Sequence, residues 1–252
     1  MKHKYDLIFS IGQACACSSN LRKNDLQFAS YPMDWLFGND LAGRVQILVS
    51  RFDRFIDVSD LEYTYSERSI LCDAYHNKYN DLTFNHDFAA ATPLTETYLG
   101  VRQKYERRIG RLLNGIENSE RVLAVYMETP DSGKSKYSES DIVKIHDKLQ
   151  RAFAPTQIDL LYISPDTKIP HGARRVVLDN SGVKWIVSEY QTKDKSKPSY
   201  TPDAHVLAKI FRDYSLNTTF GFKLRRAILK IVANLIPCRK HRRAFRKKYH
   251  LK

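Results

Sequence analysis

Two apolar runs of strand length, RVLAVYM at 121–127 and IDLLYIS at 158–164, flank the helix-like SDIVKIHDKLQRAF at 140–153. This arrangement constrains the fold more than any other feature of the chain. Strand, helix and strand at such spacing predict a parallel α/β sheet. Ser140 is the predicted N-cap of the helix, because its hydroxyl can accept from a first-turn amide. Short apolar runs at Arg175–Leu178 and Lys184–Val187 continue the pattern. At the other end Tyr5–Ile11 reads as a strand broken by Gly12, and Cys15–Asn24 is compatible with a short helix. Leu41, Val45, Leu48, Val49 and Phe52 have helical spacing, which predicts a helix over Leu41–Phe55. Thr95–Ile116 reads as a strongly charged helix. Pro32 marks a turn or sheet edge, and the stretch 57–87, rich in Tyr, Asp, Asn and His, reads as irregular and surface-lining. The expected fold is α/β: a single mainly parallel, Rossmann-like sheet with flanking helices, followed by C-terminal amphipathic basic helices. It divides into a catalytic α/β domain at 1–190, a linker and connecting segment at 191–221, and a basic tail at 222–252.

Charge separates the tail from the rest. Twelve of the 41 Lys and Arg lie in 222–252, and no acid follows Asp213, so the remainder is balanced against its 28 acids to within about one charge. The body therefore lacks the basic face that nucleic-acid binding needs, and no nucleic-acid partner is expected. The N-terminus has no signal-peptide pattern, and no run approaches the roughly 18 apolar residues of a membrane span. A cytoplasmic location with free thiols is expected.

The four cysteines are Cys15, Cys17, Cys72 and Cys238. Metal binding would need further convergent ligands; His76, His86 and His171 are scattered, so neither a metal nor any other cofactor is expected. TPDSGKSKYSESD follows a predicted strand and precedes a helix, as a phosphate loop would. However, Glu128 stands where that loop needs its first glycine, which rules the loop out.

A nucleophile fits better. A thiol between a strand end and a helix start meets unpaired backbone N–H groups that favour a thiolate. Cys15 occupies that position. Cys17 points about 200° away around the helix, so both cannot face one pocket. The alternative is that both are small residues packing a helix on a sheet. A thiol nucleophile also needs a base. His86 in DLTFNHDFAA can serve, with Asp87 or Asn85 orienting it, though direct Asp87–His86 pairing requires a turn there. Otherwise His86–Asp87 is a cap of a helix or strand.

SIGQACACSSNLRK, YPMDWL, FNHDF and YERRIGRLL, in that order over about 5–190, resemble a family of uncharacterised bacterial proteins described as putative papain-like cysteine peptidases. The resemblance implies that Cys15 is the family cysteine, that Pro32, Asp34 and Trp35 form its P-x-D-W block, and that His86, Asp87 and Phe88 form its H-D-F block. Asp34 and Trp35 would then line or support the pocket. The usual papain signature C-G-[SA]-C-[WY] is absent. A strand directly before the cysteine suits a Rossmann-like sheet at least as well as a papain fold.

In the tail, Leu224, Ile228, Ile231 and Leu235 form an apolar stripe, with Lys223, Arg226 and Lys230 on another face. A second segment carries Arg239, Lys240, Arg242, Arg243 and Arg246. Such a pattern predicts an interfacial helix on an anionic bilayer; the alternatives are a helix docked on the core with a disordered basic end, or nucleic acid. The tail also resembles endings of enzymes from bacterial capsule and lipopolysaccharide gene clusters. That resemblance implies a place at the inner face of a bacterial inner membrane, with surface-glycan assembly enzymes as partners. The expected activity is thiol-dependent acyl hydrolysis or transfer. The alternatives are a non-catalytic accessory protein of glycan assembly and a glycan-modifying transferase centred on carboxylates.

Overall fold

Residues 3–5 and 214–216, more than 200 positions apart, pair as parallel strands. The computed structural model describes residues 3–67, 71–133, 135–180, 182–218 and 220–248, with the side chains of 67, 220–223, 225, 226, 247 and 248 outside the description. The chain runs through β1 (His3–Tyr5), β2 (Leu7–Ser10), α1 (Cys15–Lys23), β3 (Leu36–Phe37) and α2 (Leu41–Val49). It continues with β4 (Leu61–Glu67), β5 (Cys72–Asn77), β6 (Leu82–Ala89), α3 (Leu94–Glu117), β7 (Arg121–Met127), α4 (Glu139–Ala152) and β8 (Gln157–Pro165). It ends with β9 (Arg174–Asn180), β10 (Val183–Ser188), α5 (Ala204–Phe211), β11 (Tyr214–Leu216), α6 (Phe220–Leu235) and α7 (Arg239–Lys248).

The predicted β7–α4–β8 unit is present, with β7 and β8 parallel and in register from Arg121↔Gln157 to Met127↔Ile163. The α4 helix starts earlier than expected, because Ser138 rather than Ser140 caps it. Its hydroxyl accepts from Asp141 N while the Asp141 carboxylate accepts from Ser138 N, so two orphan amides are satisfied reciprocally.

A single parallel sheet is not what forms. The described strands make three sheets: a mostly parallel one of order β2-β7-β8-β10-β9, an antiparallel one of order β3-β6-β5-β4, and the parallel pair β1-β11. In the first, only β9 runs antiparallel, beside β10. The stretch 57–87, expected to be irregular, holds most of the antiparallel sheet. Its sequence hid this because one face is wet, with Tyr63 and Tyr65 58% and 43% exposed, and because register shifts break the alternation. The expected Leu41–Phe55 helix stops at Val49, after which Arg51, Phe52 and Arg54 take positive φ values.

Side-chain alternation along the central strands divides the core. Val122, Ala124 and Tyr126 of β7 join a large cluster with α2, α3, α4 and the aromatics of the antiparallel sheet. Leu123, Val125 and Met127 face the opposite way, against Cys17 and Leu21 of α1 and Val206, Leu207, Ile210 and Phe211 of α5. Both faces of a largely parallel sheet are thus covered by helices, as its continuous apolar strands require. The stretch 191–221, read as a linker and connecting segment, therefore supplies a core helix, α5, and a paired strand, β11.

Candidate active site

The parallel strands β2, β7, β8 and β10 end on one edge of the sheet, where ligands of open α/β sheets gather. At the end of β2 the chain turns through Gly12 into α1. Gly12 N donates to Ser10 Oγ at 3.1 Å, and Gln13 N donates to Met127 O at 3.1 Å. Cys15 is the first residue of α1 and is half-buried. Burial pushes its thiol above the usual range, and the backbone N–H at the helix start only partly opposes this. The helix-start amide that favours a thiolate is thus opposed at Cys15 by desolvation, the larger effect. Cys17 is fully buried, donates to Val125 O at 3.5 Å and is pushed up to about 12 by burial.

The turn that carries Asp34 and Trp35 is fastened to α1. Ser18 Oγ lies 2.8 Å from Asp34 O and 3.1 Å from Cys15 O. The Asp34 carboxylate is fully buried and accepts from Arg22 Nη2 at 2.7 Å, Gln27 Nε2 at 2.7 Å and Tyr31 N at 2.9 Å. Burial raises its pKa against the pull of the Arg22 guanidinium. Asp34 thus holds the loop as a support and does not line a pocket. The half-buried Trp35 takes the Arg22 guanidinium over its ring at 5.4 Å and meets the His86 ring edge-on at 6.4 Å between centroids.

His86 owes its position to a β-bulge. Tyr75 of β5 pairs with Phe84 and Asp73 pairs with Phe88, so the three residues Asp73–Tyr75 of β5 face the five residues Phe84–Phe88 of β6. Asn85, His86 and Asp87 stand opposite Ala74 alone, a surplus of two residues. Simple alternation would bury His86 beside Phe84 and Phe88; the bulge leaves it exposed instead, and bulges commonly re-aim a side chain in this way. Asp87 turns to α3, where it pairs with Lys104 and accepts from Tyr105 OH at 2.7 Å. Direct orientation of His86 by Asp87 is therefore absent. Asn85 Oδ1 is buried and has no donor among the described residues. Arg108 of the ERR block lies over the Tyr105 ring at 5.2 Å.

The four sequence blocks thus converge: α1, the Asp34–Trp35 turn, the bulge and α3. The Cys15 carbonyl and His86 are linked through Ser18, Asp34 and Trp35, yet no hydrogen bond joins the thiol to the imidazole among the described residues. Sequence reasoning missed two other groups at this edge. Arg44 of α2 is fully buried and donates to Gln13 O, Leu36 O and Gly38 O at 2.8–3.1 Å, fastening the end of β2 to β3. Burial lowers its pKa to about 10. Glu128, at the end of β7, accepts from Tyr162 OH and from Ser132 Oγ, and burial raises its pKa. A helical residue with no local acid is a weak sequence signal, and Glu128 was read only against the phosphate loop.

All four cysteines are free, and no group of three or more His, Cys, Asp or Glu among the described residues could hold a metal ion. In the tail, the side chains of Lys223 and Arg226 lie outside the described residues, while Lys230, Arg239, Lys240 and Arg243 are exposed. Arg242 donates to Ile236 O in the connector after α6, and Arg246 donates to Asn234 Oδ1 on α6.

Residues 6–160 match a family model described as "Putative papain-like cysteine peptidase". A curated relative, an uncharacterized protein of Acanthamoeba polyphaga mimivirus, is 23% identical over 155 residues, covering 55% of this chain and 69% of that protein. No solved structure matches the chain.

Proposed function

The chain belongs to the family of putative papain-like cysteine peptidases, and from that premise we propose that it cleaves or transfers acyl groups through a thioester on Cys15. The observation that carries this reading is the bulge, which sets His86 apart from the buried face of β6 and packs it on Trp35, beside the helix that begins at Cys15. A desolvated thiol is a poor nucleophile until a base takes its proton. On this reading His86 takes that proton when substrate closes the gap, and the sulfur attacks the acyl carbon. The leaving group departs with the proton returned by the imidazolium. Water then attacks the thioester with His86 again as base, releasing the acid and restoring the thiol. On this reading Trp35 holds the imidazole.

A peptide substrate is the family's description. A bacterial setting and a place in surface-glycan assembly at a membrane rest on the tail's resemblance, and the mimivirus relative is viral.

Simple alkylation would report on Cys238, which is exposed and whose thiol is lowered by the backbone N–H groups of His241 and Lys240. The test therefore uses Cys238→Ser as background and p-nitrophenyl esters as acyl donors, with the acyl-protein located by mass spectrometry. Acylation at Cys15 is expected, lost in Cys15→Ala and slowed roughly 10²–10⁴-fold in His86→Ala. Acylation that ignores both substitutions would sink the thiol mechanism and favour the accessory or carboxylate-centred alternatives.

A further inference from the structure

The tail folds as a helical hairpin with two different outer surfaces. On α6, Leu224, Ile228, Ile231 and Leu235 are 49%, 51%, 60% and 73% exposed. At helical spacing these four lie within an arc of about 60°. Ala233, on the far side of the same helix, is fully buried. The connector Ile236-Pro237-Cys238 returns the chain, and α7 is clamped onto α6. Arg242 Nε donates to Ile236 O at 2.9 Å, and Arg246 Nη2 donates to Asn234 Oδ1 at 2.7 Å. Arg242, Phe245 and Arg246 form the partly buried inner side of α7, whereas Arg239, Lys240 and Arg243 are exposed.

Four large apolar side chains left in water along one stripe are costly unless something covers them. No acid follows Asp213, so nothing in the tail neutralises its bases. Among the described residues, no helix is long and apolar enough to cross a membrane. An apolar stripe too short to span, on one helix of a hairpin whose other helix exposes Arg239, Lys240 and Arg243, matches the interfacial zone of an anionic bilayer. We propose that the α6–α7 hairpin is a membrane-docking module: the Leu224–Leu235 stripe enters the acyl boundary and Arg239, Lys240 and Arg243 meet lipid phosphates. Arg242 and Arg246 hold the hairpin closed. This gives physical content to the membrane part of the reading above, on which it rests, and it is independent of the thiol chemistry.

The test is sedimentation of the full chain with phosphatidylcholine vesicles, with and without phosphatidylglycerol, over a series of salt concentrations. Binding is expected only with phosphatidylglycerol and is expected to weaken with salt. Replacing Arg239, Lys240 and Arg243 by Ser removes bases worth about fivefold each near an anionic surface, a roughly hundredfold loss. The double substitution Ile228→Asp and Ile231→Asp, on an exposed face where folding is not at stake, should abolish binding. Cys15→Ala should bind vesicles like the parent while losing acylation, which separates this proposal from the catalytic one. Equal binding to neutral vesicles, full binding by the Ile228/Ile231 variant, or preference for duplex RNA over anionic vesicles at the same salt would each overturn it.

Discussion

A methyl group on residue 12 would sit 2.3 Å from Cys17 Cβ and 2.9 Å from its sulfur, closer than any real side-chain contact. Gly12 is therefore needed for space rather than for an unusual backbone angle: it lets the end of β2 pass against α1 and so sets where Cys15 emerges. Gly12→Ala should cost about 1–3 kcal/mol by overpacking, read as a lower thermal midpoint, and Cys17→Gly in the same chain should recover part of the loss. Full stability in Gly12→Ala would mean that α1 can slide, and that Cys15 is not fixed by this contact. Helical geometry made the division between the two cysteines readable in advance, since a turn of about 200° cannot leave both on one side. The state of the Cys15 thiol was not readable, because desolvation depends on what the rest of the chain packs around it.

At the level of elements, β7, α4 and β8 were legible because both faces of their sheet are covered, and strands of that kind are continuously apolar. The strands β4, β5 and β6 were not legible: one side of their sheet faces water, and register shifts twice break the period of two that marks a strand. The bulge in β6 had no signature in FNHDF, although the sequence did imply that a straight strand could not pair Asp87 with His86. The structure resolves that tension by giving Asp87 to α3. Asp87→Asn should therefore act on stability, since it leaves a neutral amide facing Lys104 and Tyr105. Because Lys104 is 29% exposed, the loss is about 1–3 kcal/mol rather than that of a fully buried pair. Acylation per folded molecule should be unchanged when measured below the new midpoint; a fall of roughly 10² would instead place Asp87 in the catalytic machinery.

For the molecule as a whole, the question is where the folded body ends. Composition placed the division near 190, because QTKDKSKPSYTPD is polar and rich in turn-forming residues. The packing places it after β11. α5 buries Leu207, Ile210 and Phe211 against β7 and β8, and β11 pairs in parallel with β1 from His3↔Tyr214 to Tyr5↔Leu216. A local reading misses this because the partner of β11 is more than 200 residues earlier in the chain. Two truncations separate the alternatives. A chain ending at Thr218 keeps both clusters of the core and should melt like the full chain and acylate Cys15 at the same rate, while losing all binding to anionic vesicles. A chain ending at Tyr190 loses five buried α5 and β11 side chains, Val206, Leu207, Ile210, Phe211 and Tyr214, each worth about 1.5–3 kcal/mol of burial. That sum is comparable to the whole stability of a domain, so the shorter chain should lose its cooperative melt. A cooperative melt in the shorter chain would move the boundary back to 190, and destabilisation of the chain ending at Thr218 would make the hairpin part of the fold rather than a module attached to it.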